Sequence, residues 1–127
     1  MQEIKIYKCE KCGKIVIELQ TSSASVVCCG EKMKKFCVNT NNGSTEKHVP
    51  CIVSEKQNAI TMQVGEIKHD MSEAHFINWI GAFNENEWII KWLKPNNQPE
   101  ATFLNLNKET EIYEMCNIHG LWKVKIN

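Results

Sequence analysis

Apolar and polar residues alternate along most of this chain in short runs with a period of two, the signature of strands with one buried face. Beyond residue 45 such runs occupy 49–54, 59–64, 76–83, 88–93, 102–106, 111–116 and 121–126. The breaks between them, among them EKQN, NENE, KPNNQPE and NLNKE, are turn-like. This spacing, with its β-branched and aromatic residues, predicts an all-β sandwich. Trp88, Ile90 and Trp92 alternate onto one face, as do Ile77, Trp79, Gly81 and Phe83, and both sets are read as core. The first 38 residues differ. Shorter runs at 4–7, 14–19 and 36–38 are set between cysteine turns, with a polar turn at 21–25. The stretch NTNNGST, residues 39–45, is the best linker candidate. The reading is therefore a small domain over 1–38 and a sandwich over 39–127, with no internal repeat.

A piece of about 35 residues, such as the first, buries too little apolar surface to fold alone and usually needs a metal or disulfides. Lys+Arg and Asp+Glu both number 15, so the chain has no global field for nucleic acid, and it has no basic arm. The opening MQEIKIYKC has no apolar signal region, and no stretch approaches the ~20 apolar residues of a membrane span. A cytoplasmic chain without membrane or nucleic-acid partners is expected. In that compartment seven cysteines point to metal ligands or free thiols rather than disulfides.

The cysteines and histidines divide. Cys9, Cys12, Cys28 and Cys29 lie in the first 30 residues, while His48, His69, His75, Cys116 and His119 all follow. Cys9-Glu-Lys-Cys12 followed by Gly13 is a metal knuckle, in which two thiolates converge and glycine lets the chain turn behind them. Cys28 and Cys29 are adjacent, so the tetrahedron they complete should be distorted. Such an all-sulfur site suits iron or zinc about equally. Cys37 and Cys51 have no obvious partner and are read as small buried hydrophobes.

Cys116-Asn-Ile-His119 is a C-x-x-H pair between two predicted strands. His69 and His75 flank a short loop, and His48 precedes Pro50 where a loop enters the sandwich. Four imidazoles and one thiolate would make a square pyramid with sulfur on the axis and one vacant position. Structural zinc sites close at four ligands, so five ligands suggest a reactive iron instead. The alternatives are a metal on Cys116 and His119 with fewer partners, or histidines that are scattered surface groups. A blue-copper site fits poorly: the stretch after His119, Gly120-Leu121-Trp122-Lys123, lacks the axial methionine.

The segments Y-K-C-E-K-C-G, V-C-C-G-E-K-M, E-K-H-V-P, H-D-M, A-H-F-I-N-W-I, W-L-K-P and C-N-I-H-G-L-W-K fall in order from about residue 4 to residue 125. Together they resemble desulfoferrodoxin, the two-iron class of superoxide reductase. The resemblance implies a desulforedoxin-like metal domain followed by an immunoglobulin-like, seven-stranded β-sandwich. It implies one iron on Cys9, Cys12, Cys28 and Cys29. A second would have His48, His69, His75 and His119 as equatorial ligands and Cys116 on its axis. Glu46 and Lys47 match the family's carboxylate and lysine beside the open position. The implied reaction is one-electron reduction of superoxide to hydrogen peroxide, with reduced rubredoxin or a similar carrier as donor, in a homodimer. An electron-transfer protein without substrate is the competing class. Cys51 stands where the family often has an aliphatic residue, and Cys37 is an additional cysteine.

Overall fold

The computed structural model describes residues 3–39 and 43–126. The chain divides into two compact units, Met1–Cys37 and Val38–Asn127.

The first unit has only very short strands. Its strands are β1 (Ile6–Lys8), β2 (Ile15–Ile17), β3 (Val27–Cys28), β4 (Glu31–Lys32) and β5 (Lys34–Lys35). They form a three-stranded sheet in the order β2-β1-β5 and a two-stranded ribbon of β3 and β4. Strands this short follow from the sequence, because each apolar run is cut after a few residues by a cysteine turn. The buried apolar residues described here are Ile4, Ile6, Cys9 and Met33. That core is too small to offset the chain entropy of ordering the unit.

The second unit opens with a four-residue helix, α1 (Thr45–His48). Seven strands follow: β6 (Pro50–Lys56), β7 (Ala59–Val64), β8 (Ile77–Phe83), β9 (Trp88–Trp92), β10 (Glu100–Leu104), β11 (Glu111–Cys116) and β12 (Gly120–Lys125). One sheet runs β10-β7-β6 and the other β12-β11-β8-β9, all antiparallel. The expected all-β sandwich is what forms. Ile60, Met62, Val64, Ile77, Ile80, Phe103 and Ile112 fill the space between its sheets.

Three expectations are corrected. Trp92 is not core but 73% exposed, because it ends β9, the edge strand of its sheet. The face proposed for β8 is split by a register shift between Met115 and Cys116. Ile77 joins the inter-sheet core, while Trp79 and Phe83 stack edge-to-face in a separate aromatic group with Trp88 and Tyr113. The stretch 39–45 is not linker to its end: Thr45 already begins α1, and residues 40–42 lie outside the described residues. No helix among the described residues is long and apolar enough to cross a membrane.

Candidate metal centres

Two donor clusters stand out, and within each the donor atoms all lie within 4.8 Å of one another. The first is Cys9, Cys12, Cys28 and Cys29. Gly13 takes a φ of +80°, which a side chain would strain, and its N–H donates to the Cys9 carbonyl at 2.9 Å. This tight turn brings the Cys12 N–H to within 3.5 Å of Cys9 Sγ. Across the unit, Cys12 Sγ lies 3.6 Å from Cys28 Sγ, and Cys28 Sγ lies 3.9 Å from Cys29 Sγ. Crowding divides the thiols. The Cys12 N–H pulls Cys9 down to about 6, while hydrogen bonding to the Cys12 thiol pushes Cys28 up to about 12 and raises Cys29. Four thiolates at this separation repel one another, and a shared cation is what lets all of them ionise.

The second cluster assembles His48 from α1, His69 and His75 from the β7–β8 loop, Cys116 from the end of β11, and His119 from the β11–β12 turn. Backbone carbonyls orient two of the rings. His48 Nδ1 donates to the Ser44 carbonyl and His69 Nδ1 to the Asp70 carbonyl, each at 2.7 Å. Both therefore turn Nε2 inward. His48 Nε2 lies 3.1 Å from His69 Nε2 and 3.1 Å from His119 Nδ1. Cys116 Sγ is 3.4 Å from His69 Nε2 and accepts the His119 N–H, also at 3.4 Å. The stack beneath is equally defined. Trp122 lies against His48 with ring centroids 4.9 Å apart, and its Nε1–H donates to the His119 carbonyl at 3.0 Å. Gly43 approaches so closely that a Cβ there would stand 2.7 Å from His48 Cε1, so no larger residue fits without moving the imidazole.

The electrostatics match a cation. Burial lowers His48 and His75 and takes His69 down to about 4, so these imidazoles are neutral near pH 7 with lone pairs available. Burial raises the Cys116 thiol, which a bound cation would ionise. His75 Nε2 is buried with no hydrogen-bond partner among the described residues. An inward, unpartnered nitrogen beside three others and a sulfur fits a metal ion and leaves little reason for the arrangement without one.

Comparison with known proteins agrees with this geometry. The family model for desulfoferrodoxin matches residues 40–125, and that for the desulfoferrodoxin N-terminal domain matches residues 1–36. The desulfoferrodoxin of Nitratidesulfovibrio vulgaris is 39% identical over 123 residues, covering 97% of each chain. This chain belongs to the desulfoferrodoxin family. The desulforedoxin of Megalodesulfovibrio gigas is 50% identical over 30 residues, which is 24% of this chain and 81% of that one. The crystal structure of the superoxide reductase from Treponema pallidum superposes with a TM-score of 0.75 at 27% identity, covering 98% of this chain and 100% of that one. As a desulfoferrodoxin, the chain carries donor sets for two iron centres, one all-sulfur and one of four imidazoles and a thiolate.

Around the second set of this desulfoferrodoxin, α1 places Glu46 and Lys47 on the exposed side, immediately before buried His48. The Ser44 hydroxyl donates to Glu46 Oε1 at 3.1 Å. The Lys47 charge is felt at both His48 and His75, where it disfavours a proton. Two cysteine expectations change. Cys37 is exposed, and Cys51 is half-buried with its thiol 3.4 Å from the Gly65 carbonyl. Neither is a buried small hydrophobe, and neither belongs to a donor cluster among the described residues. Glu114 went unremarked in the sequence. It is fully buried on β11 two residues before Cys116, has no hydrogen-bond partner among the described residues, and desolvation pushes its carboxyl well above the usual carboxylate range. Its phase with Ile112 and Cys116 was the available signal.

Proposed function

We propose that the protein is a superoxide reductase, adding one electron and two protons to superoxide to give hydrogen peroxide. The carrying observation is the convergence of four imidazoles and one thiol on a single point of a desulfoferrodoxin fold. In this reading His48, His69, His75, His119 and Cys116 hold the catalytic iron. When bound, that iron supplies the single electron, and the thiolate makes its ferrous state the better donor. Neutral imidazoles leave the ferrous site with a net charge of about +1, which favours a small anion over neutral dioxygen.

The chain's own groups do the rest. Lys47 presents a cation beside the cluster, and steering of this kind raises on-rates by about 10–10³-fold in a salt-dependent way. Because the protein carries 15 basic and 15 acidic side chains, that field is local. Glu46, exposed on the same turn, is the carboxylate positioned to act at the mouth. Residues 1–38 form the small metal domain and 39–127 the catalytic one. Cys9, Cys12, Cys28 and Cys29 hold the second iron as an auxiliary redox or structural centre. A reduced rubredoxin or similar carrier returns the electron, and the protein works as a cytoplasmic homodimer; the family membership supports both.

The test is stopped-flow mixing of anaerobically reduced, iron-loaded protein with superoxide, counting peroxide and dioxygen. One peroxide per iron oxidised, with no dioxygen and a fast-growing ferric–thiolate band, is expected. Slow oxidation in protein carrying both irons would favour the electron carrier instead.

A further inference from the structure

The loop between His69 and His75 supports two imidazoles with one residue. Asp70 offers its carbonyl to His69 Nδ1 at 2.7 Å. Its carboxylate turns the other way, with Oδ2 lying 3.7 Å from His75 Nδ1. His75 Nε2 points into the donor cluster, buried and unpartnered among the described residues. The backbone of His75 is fixed separately. Its N–H reaches Ser72 Oγ at 3.2 Å, and the Ser72 N–H donates to the His75 carbonyl at 3.0 Å. Ser72 therefore shapes the loop, which leaves the Asp70 carboxylate with no evident scaffolding task. Among the described residues, its ion pair is the one with His75.

We propose that Asp70 is a positioning residue for the four-imidazole, one-thiolate site, setting the tautomer of His69 through its carbonyl and the orientation and donor strength of His75 through its carboxylate. A carboxylate behind a metal-bound imidazole keeps the proton on the outer nitrogen and makes the inner one a stronger donor. The 3.7 Å span exceeds a direct hydrogen bond, so the coupling is chiefly electrostatic. His48, by contrast, leans on the uncharged Ser44 carbonyl. The four imidazoles are thus unequal, and the His75 edge carries extra negative charge. That charge favours the ferric over the ferrous ion and increases the driving force for giving up an electron. The inference rests on the proposed iron site, and the experiment separates the two.

Full-length wild type, Asp70→Asn, Asp70→Ala and Asp70→Glu are compared in two assays. One is redox titration of the iron-loaded protein followed at its thiolate-to-iron band. The other is cobalt(II) binding in competition with a chelator. Asn and Ala keep the carbonyl and delete the charge. Both should shift the redox equilibrium towards the ferrous state by about three- to tenfold, tenfold being about 59 mV for one electron. Both should also weaken cobalt(II) binding by up to about tenfold, with Asp70→Glu restoring most of each effect. A merely structural role would lower the melting temperature of Asp70→Ala and leave the potential in place, which overturns the proposal. A wild-type protein that shows no thiolate band with either metal overturns the site reading and this inference together. A normal wild-type band with unmoved potentials in Asn and Ala overturns the inference alone.

Discussion

The two donor clusters are built in opposite ways. The four-cysteine cluster comes from two knuckles 16 positions apart, Cys12 to Cys28, with Cys12 and Cys29 exposed, Cys9 buried and few other buried residues around them. The five-donor cluster joins residues up to 71 positions apart and rests on a filled sandwich core. In the first, the metal makes the structure; in the second, the structure makes the metal site. Small units with thiolate ligands gain most of their folding free energy from the ion, whereas a sandwich with a continuous core folds and then presents preset lone pairs.

The harshest way to break this comparison is to strip the metal. Chelation should unfold residues 3–37, seen as loss of amide protection there, while β6–β12 keep theirs. Protection lost equally in both units would erase the distinction. Next in size is a pair of thiol replacements. Cys116→Ser should abolish the thiolate band and superoxide reduction, whereas Cys9→Ser should leave the initial oxidation rate within about twofold, since the second donor set is complete without it. Stopped-flow traces of both variants decide whether the clusters are independent.

Lys47→Ala should slow the encounter with superoxide by about tenfold at low salt and flatten its ionic-strength dependence. An unchanged rate would remove Lys47 from the steering role. A further contrast concerns what a core tolerates. The Glu114 carboxyl has its pKa raised by burial, so above the ordinary value of 4.5 the native state keeps a proton that the unfolded chain has lost. Stability should therefore fall as pH rises past that value, by at most about 1.4 kcal/mol per pH unit. Glu114→Gln should remove that slope, as urea titrations at several pH values would reveal. Smallest of all, Trp92→Ser should change stability by no more than about 0.5 kcal/mol, because the ring is already in water.

Much of the sandwich was legible because alternation is a strong signal where one face is buried, as along β7 with Ile60, Met62 and Val64. The signal fails where the neighbour sheet ends. Trp92 has the same periodicity as Trp88 but sits at the end of an edge strand, and sequence does not say which strand is the edge. Four residues are too few to show a helical period, so α1 was hidden inside a polar stretch that read as linker. The donor residues were legible as chemistry, since Cys-x-x-His and paired cysteines have few other uses in such spacing. Their supports were not. Ser44, Asp70 and Trp122 act through a carbonyl, a carboxylate at 3.7 Å and a stacked ring, and such contacts are set by loop geometry rather than by residue type. Glu114 was missed because a glutamate in an alternating run is assumed to face water.

The meeting of His48 and His119 has a consequence in polymer terms. Their ring nitrogens are 3.1 Å apart across 71 positions of chain. An ion held by both is a cross-link that closes most of the sandwich into one loop. A cross-link of that span removes about 4 kcal/mol of conformational freedom from the unfolded chain in the chain-entropy account. The metal content of a preparation should therefore add to the melting temperature of a sandwich that is already folded without it.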